Sequence, residues 1–174
     1  MQQNPLQNCR LVGISGKLGS GKTSLAIYMQ TLDPHLQRHS FADKLREVLC
    51  VMTGVAPAQT RSAEQKNAQP AGWDKPIGAL LQDIGEAMRA FVHVDAWVLS
   101  LAAQWNEAGV SERWVIDDVR HLNEAAWIKS QGGVLIRLEG DPGGVRARST
   151  RDLEHISETA LDDYDGFDVV VDTD

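Results

Sequence analysis

A chain of 174 residues with 43% hydrophobic and 24% charged side chains has ordinary globular composition, enough for one domain with a single good core, and is not a disordered chain. With 17 basic against 24 acidic residues, a formal charge of −7 and a pI near 5.2, it lacks the broad basic footprint of a protein that binds polymeric nucleic acid, so any cationic site must be local. Cys9 and Cys50 form neither a disulfide framework nor a zinc pattern, no apolar run reaches membrane-spanning length, and Met1 to Asn8 lacks a signal-peptide layout; a reduced, cytoplasmic protein without membrane contact is expected.

The first apolar run, Leu11 to Ile14, reads as a buried strand, and Ser24 to Met29 as a helix with Leu25, Tyr28 and Met29 at helical spacing. Between them, Gly16 to Thr23 fits the pattern G-x-x-x-x-G-K-[ST] at every fixed position. Glycines let the backbone curl so that consecutive N–H groups face a phosphate, and the following helix adds the positive end of its dipole. Gly16, Gly19, Ser20, Gly21, Lys22, Thr23 and Ser24 are therefore the candidate residues for ATP, with Lys22 reaching the β and γ phosphates and Thr23 taking a Mg²⁺ position.

Asp33-Pro34 marks a break, Leu36 to His39 reads as a short strand, and a helix capped at Ser40 carries Phe41, Leu45, Val48, Leu49 and Met52 on one face before Gly54. Ala56 to Pro76 is polar, holds three prolines and reads as a loop or partly mobile excursion. Helical patterns follow from Ile77 to Met88 and from Val94-Asp95 to Gly109, whose tryptophans fit a buried face. Trp114 to Ile116, a helix from about His121 to Gln131, and Gly133 to Leu138 read as strand, helix, strand, and Phe167 to Val171 as a fifth strand. Such continuous apolar runs suit a parallel sheet covered on both faces.

Asp117 and Asp118 close an apolar strand where the metal-orienting acid of a P-loop protein sits, and the period alone leaves open which of them faces the nucleotide. Arg146, Arg148 and Arg151 follow the glycine-containing stretch 140–144 and suit a lid, at about 140–154, that neutralises phosphoryl charge. Arg120 lies at a strand's carboxyl end, where an open parallel sheet binds ligands, and Arg89 ends an amphipathic helix. His155 reads as a structural or capping histidine.

Taken in order, these residues resemble the T-even-type phage deoxynucleoside monophosphate kinases, within the P-loop nucleoside monophosphate kinase group. The similarity runs through Ile14 to Thr23, Phe41 to Arg46, Leu80 to Gly85 with Arg89 and Trp97, Asp118-Val119-Arg120 with Asn123-Glu124, Gly132 to Leu138, and His155 to Glu158. Only the P-loop is specific by itself; the joint order carries the rest. The resemblance implies one three-layer α/β domain over 1–174 with a five-stranded parallel sheet in the order 2-3-1-4-5, an acceptor-binding helical region at about 40–108, and a short lid. It implies transfer of the γ-phosphoryl of ATP to a deoxynucleoside 5′-monophosphate, in the host cytoplasm for a phage-encoded chain, with a homodimer allowed. Carried over by position, Asp118 is the metal-side acid beside Thr23. Asp43, Lys44, Arg46, Gln82, Arg89 and Arg120 fall on the acceptor side, and Lys22, Asp118, Arg120, Arg146, Arg148 and Arg151 would serve catalysis. The chain is shorter than the T-even enzyme before Leu80, so the base preference does not transfer.

Two rival functions follow from the same residues. One is a kinase acting on a hydroxyl of a nucleoside, a modified DNA base or a metabolite such as dephospho-coenzyme A, with Asp43 as the base that a hydroxyl needs. The other is a nucleotide-binding module without transfer activity.

Overall fold

Side chains alternate across a strand, so a strand buried on both faces must supply apolar residues at odd and even positions alike. The computed structural model, which describes residues 9–62, 64–149 and 152–174, contains five strands, of which the three central ones are buried in this way and the two edge strands are not. The five are β1 (Leu11–Gly16), β2 (Leu36–His39), β3 (Arg113–Val119), β4 (Val134–Glu139) and β5 (Val169–Asp172). All pair in parallel, in the order β2-β3-β1-β4-β5 that the family resemblance implies.

The alternation divides the core in two. Val12, Ile14, Val115, Val134, Ile136 and Leu138 pack with Ala26 on the side of α1 (Lys22–Leu32). Leu11, Trp114, Ile116 and Leu135 face the other way. They meet Leu45 of α2 (Asp43–Thr53), Trp97, Leu101 and Trp105 of α4 (Ala96–Glu107), and Ile128 of α5 (Leu122–Ser130). A smaller cluster of Leu49, Ile77 and Leu80 joins α2 to α3 (Ile77–Phe91). Trp97 and Trp105 are buried, as the helical spacing predicts, and so is Trp114 of β3.

Local departures have physical causes. Ser40 does not cap α2: the helix starts at Asp43, because the Ser40 hydroxyl donates to Asp118 and the Asp43 carboxylate instead accepts the Ser40 N–H at 3.1 Å. The 56–76 stretch, read as a loop, holds two short 3-10 turns, Pro57–Thr60 and Gln65–Asn67, and buries Thr60. The expected lid stretch carries a 3-10 turn, Arg146–Arg148, and is followed by a one-turn helix α6 (Ile156–Thr159) whose N-terminus His155 caps by accepting the Ser157 N–H. No helix among the described residues is long and apolar enough to cross a membrane.

Gly13 is where α5 presses hardest on the sheet. A Cβ there would lie 2.5 Å from Ile128 Cδ1, 2.8 Å from Leu135 Cδ2 and 3.0 Å from Val119 Cγ2. These neighbours are fully buried, with little room to retreat. Gly13→Ala is therefore expected to destabilise the protein by about 1–3 kcal/mol, read as a lower melting temperature. An unchanged melting temperature would contradict that packing.

Candidate active site

The strand ends gather the chemistry because every strand points the same way. At the end of β1 the chain turns through Gly19 (φ 83°) and Gly21 (φ 90°), the latter immediately before α1. Both angles lie in the region glycine alone adopts freely. Glycine at position 19 is demanded twice over, since a Cβ there would lie 2.1 Å from Asp141 Oδ1. Lys22, nearly buried, donates from Nζ to the carbonyls of Gly16 at 2.6 Å and Lys17 at 2.7 Å. A curled glycine loop that ends at a helix N-terminus is a backbone form suited to an anion.

Between Gly13 and Ser15 the pairing of β1 with β3 slips by one residue: Gly13 faces Ile116, whereas Ser15 faces Val119. The extra residue of β3 falls at Asp117-Asp118, and both carboxylates are nearly buried. They point to opposite sides. Asp117 Oδ2 accepts the Thr23 hydroxyl at 2.9 Å and has Arg38 Nε at 4.0 Å. Asp118 accepts the Phe41 N–H at 2.9 Å, the Ala42 N–H at 3.0 Å and the Ser40 hydroxyl. Here the geometry corrects the resemblance, which puts Asp118 beside Thr23: that place belongs to Asp117, and Asp118 instead ties down the turn leading into α2. Burial, and after it the charge of Asp118, raises the Asp117 pKa above the usual carboxylate range.

Two hollows open around these acids. A cleft of about 770 Å³ runs from Gly19, Gly21, Lys22, Thr23 and Ser24 past Asp117 to Arg38, Arg46, Arg61, Lys66 and Arg148. A smaller one of about 100 Å³ is walled by Phe41, Leu45, Leu81 and Trp97, with Gln82, Arg89, His121 and Glu124 among its polar residues. Arg46, Lys66, Asp118 and Arg120 line both, so the hollows meet there.

Not every expected residue comes to the site. Lys44 does not: it sits on the exposed face of α2 paired with Glu47 at 2.8 Å, three positions on, and lines neither hollow. Gly16 and Ser20 form the base of the loop rather than the cleft wall. Arg146 reaches back to the loop, donating from Nε to the Leu18 carbonyl at 2.8 Å, while Arg148 lines the cleft. Arg151 lies outside the described residues. Asp43 lines the cleft, yet its Oδ1 already takes Arg46 at 3.0 Å and Arg61 at 3.3 Å. Gln82 lines the smaller hollow and donates to the Asp152 carbonyl at 3.2 Å.

Sequence reasoning misses the supports. Glu124 is 2% exposed and accepts Arg89 Nη2 at 2.9 Å, the Arg120 N–H at 2.7 Å and the His121 N–H at 3.0 Å. Burial and the charge of Asp118 push its pKa up to about 7, against the pull of Arg89 and the two N–H groups. His121 is the opposite case: burial, then Arg89, Arg120 and His155, push its pKa down to about 3, and its Nε2 has no hydrogen-bond partner among the described residues. Arg38, Arg61 and Lys66 come from a short strand and an aperiodic stretch, which give no motif to find. Asn123-Glu124 and Ser157-Glu158 do stand within the family-like segments, and that is the one signal for the buried acids.

The sheet order, the glycine loop and the helix that follows it define an α/β fold of P-loop type. No family model matches the chain. A viral relative from Acanthamoeba polyphaga mimivirus, named "Putative deoxynucleotide monophosphate kinase", is 28% identical over 180 residues, spanning 92% of this chain and 86% of its own. A solved structure described as an unliganded sugar kinase from a Janibacter species aligns over 94% of this chain and 85% of that one, with 17% identity and a TM-score of 0.42. That likeness is too distant to bear on chemistry.

His121 makes stability pH-dependent in a calculable direction. Above its unfolded pKa of 6.5 both states are neutral; below it the unfolded chain takes a proton that the folded chain refuses until about pH 3. Stability is lost as pH falls through that window, at up to about 1.4 kcal/mol per pH unit. Glu124 acts oppositely, its contribution falling as pH rises from 4.5 to about 7, so the wild-type profile is flattened where the two overlap. Comparison with His121→Asn isolates the histidine. By denaturant unfolding, wild type should lose about 2 kcal/mol relative to that variant between pH 7.5 and pH 5. Parallel profiles would show that His121 is not held neutral.

Proposed function

We propose that this protein is a kinase that transfers the γ-phosphoryl of ATP to a deoxynucleoside 5′-monophosphate, giving the diphosphate. One observation carries the reading: the P-loop cleft opens into a second hollow with an aromatic wall and its own arginines, and the two share Arg46, Asp118 and Arg120. An aromatic and aliphatic wall suits a base, and arginines suit a phosphate. The name of the viral relative supports the same acceptor class.

The residues fit the cofactors implied. Thr23 and Asp117 present a hydroxyl and a carboxylate 2.9 Å apart, and no group of three or more His, Cys, Asp or Glu gathers among the described residues. An oxygen pair of this kind suits Mg²⁺, which takes one or two protein ligands and completes its shell with water and phosphate. Thr23 and Asp117 would hold the ion, which supplies charge neutralisation on the transferring phosphoryl. The loop N–H groups and Lys22 hold the triphosphate and act on the charge it develops. Arg148 reaches the phosphates from the cleft wall, while Arg146 fixes the stretch before it to the loop at Leu18.

On the acceptor side, the helical region of about 40–108 walls the base through Phe41, Leu45, Leu81 and Trp97, and Gln82 supplies a polar contact. Arg89 and Arg120, with Arg46 at the junction, orient the monophosphate for in-line attack. A phosphate acceptor is already an anion, so no general base is required. Asp43, the base that a hydroxyl acceptor would need, is already engaged by two arginines and the Ser40 N–H. That favours the monophosphate over the hydroxyl.

ADP release from MgATP, measured across all four deoxynucleoside monophosphates and common modified ones, tests the activity; no acceptor-dependent ADP would sink it. Lys22→Ala should lower turnover at least about 100-fold with an unchanged melting temperature. Asp43→Asn should cost no more than about tenfold in turnover, because it loosens Arg46 but removes no proton acceptor that this reaction needs. Loss of turnover in a folded Asp43→Asn protein would favour the hydroxyl acceptor instead.

A further inference from the structure

Glu158 stands outside both substrates' contacts as described so far, yet one of its carboxylate oxygens goes to each half of the site. Its Oε2 accepts the Leu18 N–H of the P-loop at 2.9 Å. Its Oε1 takes Arg120 Nη1, which also donates to the Ser157 carbonyl at 3.0 Å. The side chain is 2% exposed, so this carboxylate is committed to a fixed place. A second tie runs beside it, from Lys17 Nζ to Asp162 Oδ2 at 2.8 Å, so the loop is fastened to the α6 region at consecutive residues.

The consequence for Arg120 is directional. Among the described residues, the side-chain bonds of Arg120 all leave from Nη1. The guanidinium is planar and offers its donors in a fixed fork, so pinning Nη1 sets the plane and leaves the Nε–Nη2 edge for a bidentate anion. Arg120 lines both hollows where they meet. The same carboxylate thus fixes the height of the P-loop at Leu18 and the aim of the arginine that faces it.

We propose that Glu158 is the positioning residue that sets the acceptor-phosphate arginine, Arg120, in register with the P-loop, so that the phosphate accepted at one hollow lines up with the phosphoryl donated from the other. This rests on the kinase reading above. Glu158 touches neither substrate; it acts through Arg120 and Leu18. Transfer in line depends on alignment that tolerates little error, and a displacement of about 1 Å at a reacting group costs on the order of 100-fold in rate.

Two substitutions separate the two arms. Glu158→Gln keeps an oxygen that can accept the Leu18 N–H and removes the charge that holds Arg120. It should raise the KM for the deoxynucleoside monophosphate about tenfold or more and leave that for MgATP within about twofold. Glu158→Ala removes both arms and should weaken both substrates. Arg120→Ala combined with Glu158→Gln should cost no more than Arg120→Ala alone, because the carboxylate works through the arginine. Far-UV circular dichroism and melting temperatures establish folding. If Glu158→Gln is unfolded, Glu158→Asp, which keeps the charge and shortens the reach, should raise the monophosphate KM in its place.

Additive costs in the double variant, or an unchanged monophosphate KM in the folded Glu158→Gln protein and, where that variant is unfolded, in Glu158→Asp, would overturn the assignment. Failure of the kinase reading looks different: wild-type protein then releases no acceptor-dependent ADP. The loop arm is decided even so, by equilibrium binding of MgATP. Glu158→Ala should weaken it and Glu158→Gln should not, and equal affinities for wild type and Glu158→Ala would refute the tie to Leu18.

Discussion

Two adjacent carboxylates at the end of one strand hold this site together. Consecutive strand residues point to opposite faces, so Asp117 and Asp118 reach to different layers of the molecule. Asp117 meets Thr23 at the start of α1, and Asp118 gathers Ser40, Phe41 and Ala42 before α2. The one-residue slip against β1 falls on the same pair. Beyond it Val119 packs with Ile116 on the α5 side, although a regular strand would send it to the other face. The P-loop and the turn before α2 are therefore referenced to a single dipeptide, and their separation is set by strand geometry rather than by either loop.

Electrostatics explains how a chain of net charge −7 makes a cationic site. The arginines at the strand ends are not loose surface charges. Arg89 rests on Glu124, Arg120 on Glu158, and Arg46 on Asp43, and the first two of these acids are nearly or fully buried. Buried pairs gain little net stability, since desolvation offsets much of the attraction. What they contribute is orientation: each carboxylate fixes part of a guanidinium fork, and Arg89 is held by Glu86 as well as by Glu124. His121, enclosed by the same arginines, is kept neutral and adds no competing positive charge.

Much of the fold is legible in the sequence because its signals are local. The apolar runs at 11–14, 114–116 and 134–138 could be strands buried on both faces, and the glycine pattern after the first fixes its direction toward a ligand. The helices at 77–88, 94–109 and 121–131 follow from their periodicity, to within a few residues at each end. The start of α2 was less accessible, because Ser40 looks like a cap until a partner 78 residues away claims its hydroxyl. The 56–76 stretch was opaque for a related reason: its turns are short, and Thr60 is buried by packing that no periodicity announces.

The P-loop, the strand that feeds it and the set of arginines available are legible in the residues alone, and the sheet order through resemblance to a family. The P-loop and its strand are written in residue type and spacing over fewer than about ten positions, the range in which backbone preference and side-chain period act, whereas the sheet order comes from the joint order of segments along most of the chain. Packing alone settles which aspartate stands beside Thr23, and that Glu124 pairs with Arg89 and Glu158 with Arg120. Those outcomes depend on a register slip and on contacts between residues far apart in the chain, and neither leaves a periodic trace. Spacing could nominate the charges; packing chose their partners.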